Sequence, residues 1–208
     1  MSTKIDQPTV AYRFDCRDRI ERFVHCGAVW FGHARLYSNE ELPVAQRDEE
    51  QVRKHRLKPN DGRILVTPEG QSPIQVTSVL EVRLNIQLPD YYMLCLTTTY
   101  ERQFYDEFRC DACVEIRDFP EFRARLNRGV TTNMPGWRLY GRAVEYFEGD
   151  TVPVQKDDPV RLVFLKRARI PSQNEYRLIL WNEARPSTEN GIILTMGSLT
   201  DICRVVYS

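Results

Sequence analysis

The chain has 208 residues, 42% of them hydrophobic and 28% charged, which is enough apolar content to bury a core of ordinary domain size. Its 29 Lys and Arg balance 29 Asp and Glu, so it lacks the overall positive field with which dedicated nucleic-acid binders hold a phosphate backbone. The opening MSTKIDQPTV is no basic-then-apolar leader, and no segment reaches the roughly 20 apolar residues that cross a bilayer. The expectation is a cytoplasmic protein without a membrane partner.

In chain order, Thr9 to Phe14 sets Val10, Tyr12 and Phe14 against Ala11 and Arg13, the period of a half-buried strand. A helix follows: Asp15 can cap it, Ile20, Phe23 and Val24 give its apolar stripe, and Gly27 can end it. Ala28 to Phe31 reads as a second strand. From Ser38 to Asp61 the pattern fades into a charged stretch, read as an exposed loop or short helix. Arg63 to Thr67, Ile74 to Leu88, Tyr91 to Thr99 and Cys110 to Ile116 are apolar runs bounded by turn residues, hence strands. Phe119-Pro120-Glu121 opens a short second helix that Gly129 ends. Leu139 to Phe147, Val160 to Leu165, Glu175 to Trp181, Gly191 to Thr195 and Ile202 to Tyr207 complete a strand-dominated second half.

This order excludes regular βαβ alternation and predicts an α+β fold: one strand-rich domain over 1–208, with two packed or strongly bent, mainly antiparallel sheets and two or three short helices. Cysteines at 16, 26, 95, 110, 113 and 203 are too scattered for a disulfide framework and read as reduced thiols. Cys110-Asp-Ala-Cys113 has the spacing of a zinc site, but on a strand positions three apart face opposite ways, and no further ligand pair completes a set, so no metal is expected. Trp30, Trp137 and Trp181 read as core anchors. His25, His33 and His55 form no ligand spacing. The common nucleotide, zincin and hydrolase motifs are missing.

Three polar patches stand out on the strands: Tyr12-Arg13, Thr97-Thr98-Thr99, and Gln173-Asn174-Glu175. On the last strand Tyr176, Leu178 and Leu180 share a core face, which puts Gln173, Glu175 and Arg177 on the other, where a polar face can line a cleft. Alternatively, Glu175 and Arg177 form an exposed ion pair worth at most about 1 kcal/mol, the threonines are ordinary strand formers, and Arg13 is a surface residue.

With Arg13, Thr97 to Thr99 and Gln173-x-Glu175 in that order, the chain resembles the ADP-ribosyltransferase superfamily. It is also similar to an uncharacterised group of bacterial and phage-associated proteins, some linked to phage resistance, through Tyr12-Arg13-Phe14, Gly27-Ala-Val-Trp-Phe31, the acidic stretch at Arg47-Asp48, and Lys166 followed by Glu175-Tyr176-Arg177. The resemblance implies an NAD-dependent transferase, a toxin or phage-defence effector modifying a macromolecular acceptor, with NAD as substrate and no metal. It gives Glu175 the carboxylate beside the oxocarbenium-like transition state and Arg13 the diphosphate clamp. Thr97, Thr98 and Thr99 would hold carboxylate and ribose in register, and Gln173 would orient the acceptor. Tyr12, Phe31 and Tyr37 would stack on the nicotinamide ring. Two other readings stay open: a non-catalytic interaction protein of a phage-defence or counter-defence system, and a nucleic-acid-processing protein using the local basic run Arg53-Lys54-His55-Arg56-Leu57-Lys58.

Overall fold

In the computed structural model the alternating residues near the start form strand β1 (Ala11–Asp15), with Ala11 and Phe14 buried. The structure describes residues 7–39, 41–43, 52–57, 64–66, 74–76, 82–88, 90–148, 159–168, 174–182 and 189–208, with 52–57, 64–66, 74–76 and 82–87 given by their backbone alone. Helix α1 (Arg17–Cys26) buries Ile20, Phe23 and Val24. Its cap is not the expected one. The N-cap is Cys16, while Asp15 turns back to accept from Arg13, and the Arg17 amide donates instead to Asp111 Oδ1 at 2.7 Å. A side chain 94 residues away thus satisfies an end group of the helix.

Gly27 ends α1 in the left-handed region at φ 61°, and a Cβ there would run into the Gly197 carbonyl. Backbone strain of this kind costs about 1–3 kcal/mol. Gly27→Ala should therefore lower unfolding free energy by at least that range, read from the urea midpoint; an unchanged midpoint contradicts the geometry.

Strand β2 (Ala28–His33) and a 3-10 turn (Ala34–Ser38) follow. Then come β3 (Val52–Leu57), β4 (Ile64–Val66), β5 (Ile74–Val76), β6 (Val82–Gln87) and β7 (Tyr91–Thr97). Strand β3 corrects the loop-or-helix expectation over 52–57, while 44–51 and 58–61 lie outside the described residues. Val-Arg-Lys-His-Arg-Leu has no alternating apolar pattern, and its strand form comes from antiparallel pairing with β6. Helix α2 (Phe104–Phe108), which local pattern did not suggest, buries Phe104 and Tyr105 against Phe14.

After β8 (Ala112–Ile116), helix α3 (Phe119–Asn133) starts with Asp118 accepting from the Glu121 amide and runs past Gly129. The expected stop at Gly129 fails because Val130 prolongs the buried stripe of Phe119, Phe122 and Leu126, and that burial outweighs the roughly 1 kcal/mol propensity cost of glycine. Strands β9 (Arg138–Ala143) and β10 (Glu145–Phe147) precede α4 (Pro159–Leu162) and β11 (Leu165–Arg167). The strand expected over Val160 to Leu165 is thus a helical turn followed by a strand; a short apolar run carries too little periodicity to separate the two. Strands β12 (Glu175–Trp181), β13 (Gly191–Thr195) and β14 (Cys203–Tyr207) close the order.

The fold is α+β and strand-rich. Eight strands form an antiparallel sheet ordered β13-β2-β7-β1-β8-β14, with β12 pairing both β7 and β9. The sheet forks at β7. One edge of β7 pairs with β12 from Tyr91 to Thr97. The other edge is shared, with β2 beside Tyr92 and Met93 and β1 beside Thr97. Helices α1 and α3 cover one face, where Phe23, Phe122, Leu96, Tyr176 and Leu178 belong to the main core. On the other face Tyr91, Met93, Ile179 and Trp181 pack with Val163, Phe164 and Leu165. Outside this sheet, β10 and β11 pair in parallel, and β4 pairs with β5.

Candidate functional site

Pairing across the fork brings the three polar patches together. Tyr12 on β1 lies opposite Thr97 on β7, and Thr97 lies opposite Glu175 on β12. Directly opposed residues of antiparallel strands share a face, so Tyr12, Thr97 and Glu175 form one row across three neighbouring strands, spanning about 10 Å from β1 to β12. The next residue, Arg13, starts from the opposite face. Its guanidinium reaches the open edge of β7, where Nη1 donates to the Cys95 carbonyl at 2.9 Å and Nη2 pairs with Asp15 at 3.1 Å. Arg13 is therefore not a surface residue: its side chain is 17% exposed and fills the fork. Burial alone would lower its pKa, but the charge of Asp15, with smaller contributions from Tyr37 and Cys95, raises it.

The Glu175 carboxylate is held from two sides. Arg177 Nε donates to Oε1 at 2.6 Å and Lys166 Nζ to Oε2 at 2.9 Å. Arg177 also donates to the Val163 carbonyl at 2.8 Å. These are not the exposed ion pair or the open polar face that strand alternation suggested: Glu175 is 6% and Arg177 1% exposed, because the segment leading into β11 closes over that face of β12. Burial pushes the Glu175 carboxyl up, yet Arg177 and Lys166, by charge and hydrogen bonds, outweigh it and bring its pKa down to about 2. Tyr146, opposite Lys166 in the β10–β11 pair, has its own pKa raised by burial and by the Glu175 charge.

The threonines serve the end of β7. Thr97 Oγ1 donates to the Thr99 carbonyl at 3.2 Å and accepts from the Thr99 amide at 3.3 Å. Both the amide and the hydroxyl of Thr98 donate to the Asn174 carbonyl, fastening the turn after β7 to the start of β12. Gln173 lies outside the described residues. Tyr12 ends the row, its ring centroid 5.6 Å from that of Tyr100. Phe31 does not reach the site: it is fully buried in the main core, so the stacking expectation is corrected, because β2 alternation turns it toward the helices. Tyr37 packs against the second core cluster and contributes to the field at Arg13.

Local sequence reading missed Lys166 and Asp15 as members of the site. The resemblance had already set Lys166 ahead of Glu175-Tyr176-Arg177 without giving it a role, and its place directly after the apolar Val163-Phe164-Leu165 run was the local signal. For Asp15, the carboxylate two residues beyond Arg13 on one strand was the available clue.

A cavity of about 230 Å³ opens in the fork, lined by Arg13, Asp15, Arg19, Arg22, Trp30 and Leu94 among others. It is smaller than the roughly 300–1,000 Å³ of ordinary ligand pockets, so it suits part of a dinucleotide rather than all of it. Among the described residues no group of three or more His, Cys, Asp and Glu could hold a metal ion. Cys110 and Cys113 have pKa values raised chiefly by burial, Cys110 to about 11, which leaves both as protonated thiols at neutral pH. The basic run lies on β3, given by its backbone alone, except for Lys58, which is outside the described residues. No helix among the described residues is long and apolar enough to cross a membrane. No family model, curated protein or solved structure matches the chain.

Proposed function

We propose that the protein is an NAD-consuming ADP-ribosyltransferase in which Glu175 is the carboxylate beside the reacting ribose. The observation that carries this reading is the row of Tyr12, Thr97 and Glu175 on adjacent strands, with Arg13 next to it in the fork. Breaking the bond between nicotinamide and ribose sends the bonding electron pair out with nicotinamide and leaves positive charge on the sugar. A carboxylate held ionised with a pKa of about 2 supplies the opposing charge. Arg177, the more deeply buried partner, fixes that carboxylate. Lys166, 12% exposed and carried on a three-residue strand, is the partner that moves off Oε2 when a ribose approaches. Arg13 clamps the diphosphate with its unused N–H groups, the threonines hold the row in register, and Gln173 orients a macromolecular acceptor. The roles of phage-defence effector or toxin belong to the same reading, through the resemblance of the sequence.

Nicotinamide release from NAD, followed chromatographically, tests it. The wild-type chain should release nicotinamide, and Glu175→Gln, assayed at a temperature where circular dichroism shows it folded, should be slower by at least about 100-fold. A wild-type protein that releases none, or a folded variant that keeps the wild-type rate, overturns the reading. One observation favours a second reading, a non-catalytic interaction protein: both oxygens of Glu175 already have cationic partners, as in a purely structural buried ion pair. That reading expects no release from any form and a stable complex in a pull-down.

A further inference from the structure

The cavity in the fork is distinct in chemistry from the Glu175 cluster. Its lining sets three guanidinium groups, Arg13, Arg19 and Arg22, against one carboxylate, Asp15. Arg13 and Arg19 both reach Asp15, at 3.1 and 3.4 Å, so that one carboxylate is shared and the rim keeps an excess of positive charge. Arg19 and Arg22 lie three residues apart on α1 and so project from one face of the helix. Both are exposed, and Arg19 meets an incoming anion by leaving its contact with Asp15.

Beside them lies the half-buried Trp30 indole, in space that two glycines leave open. A Cβ on Gly32 would come within 2.8 Å of its ring, and one on Gly191 would collide with Nε1. The Arg19 guanidinium lies 5.5 Å from the ring centroid. Leu94, buried, and Ile193, 55% exposed, add apolar surface to the lining.

We propose that this cavity binds a mononucleotide, with its phosphate on Arg13, Arg19 and Arg22 and its base against Trp30. An excess of forked donors selects a phosphate over a neutral ligand, and a preorganised ring beside an apolar floor rewards an attached flat base. At about 230 Å³ the cavity takes the phosphate and part of the nucleoside, with the remainder at its mouth, and not a dinucleotide. Because Arg13 also holds the Cys95 carbonyl, occupancy is felt at β7. The site shares Arg13 with the transferase reading but does not rest on nicotinamide chemistry.

Isothermal titration of the full chain with adenosine monophosphate, adenosine and inorganic phosphate tests this without any turnover. Adenosine monophosphate should bind at submillimolar concentration, and adenosine and inorganic phosphate each at least about tenfold more weakly. Arg19→Ala and Arg22→Ala, with unchanged circular dichroism, should each weaken the nucleotide at least about fivefold. Three outcomes overturn the proposal: no nucleotide binding at millimolar concentration, an affinity indifferent to both substitutions, or inorganic phosphate or adenosine binding as tightly as the nucleotide. Nucleotide binding without nicotinamide release sinks the transferase reading alone, and release without nucleotide binding sinks this one alone.

Discussion

Glu175→Gln should lower the unfolding free energy by about 3–5 kcal/mol, the cost of breaking a buried ion pair from one side. The amide keeps the volume of the carboxylate but removes the charge that Arg177 and Lys166 both pair with. Arg177, 1% exposed, cannot turn to water, so its charge stays in the interior without that partner. Adding Lys166→Met to Glu175→Gln removes one of the two cations that paired with the carboxylate and should recover a substantial part of the loss. Urea denaturation of the wild type, the single variant and the double variant gives both quantities. A single variant within about 0.5 kcal/mol of wild type would show that this cluster does not hold the segment before β11 against β12.

Acid should expose the same carboxylate by a second route. Its folded pKa, about 2, lies below the ordinary value of 4.5. Stabilisation is therefore fully present above pH 4.5, where the unfolded chain is also ionised, and is lost as the pH falls toward 2 and the folded group takes up its proton. At 1.36 kcal/mol per unit, the loss across that window is about 3 kcal/mol. Denaturation midpoints followed between pH 5 and pH 2 should fall for the wild type, and Glu175→Gln should fall less steeply by that amount. Equal slopes for the two proteins would mean that Glu175 titrates alike in the folded and unfolded chains. The two routes are independent, one chemical and one by protonation, and agreement between them assigns the energy to this one group.

These two results bear on function as well. On the proposed reading, the carboxylate that stabilises the fold by this much also faces the reacting ribose, and so carries two duties. The rate of Glu175→Gln therefore has meaning only for its folded fraction.

How much of this was readable in advance differs from element to element. The face assignment of β12 followed from alternation alone: Tyr176, Leu178 and Leu180 are all buried in the main core. Strands β12 and β13 begin and end where their apolar runs do, because turn residues bound them on both sides. Where a run was short or its pattern broken, local reading failed. The segment from Val160 to Leu165 splits into helix and strand, and the charged residues of β3 are extended only because β6 pairs with them. The acceptor for the first amide of α1 is Asp111, which no window around Asp15 contains.

Period, turn chemistry and apolar content by themselves determined the α+β class, the helix that Gly27 ends and the polar identity of the three patches, since these depend on neighbours within a few residues. Only the tertiary structure decided that Tyr12, Thr97 and Glu175 stand in one row, that Phe31 is core, and that Glu175 and Arg177 are buried rather than exposed. Strand order and coverage are set by contacts between residues far apart in the chain, and a carboxylate's charge state follows from what surrounds it, here Lys166 and Arg177 within a closed face of the sheet.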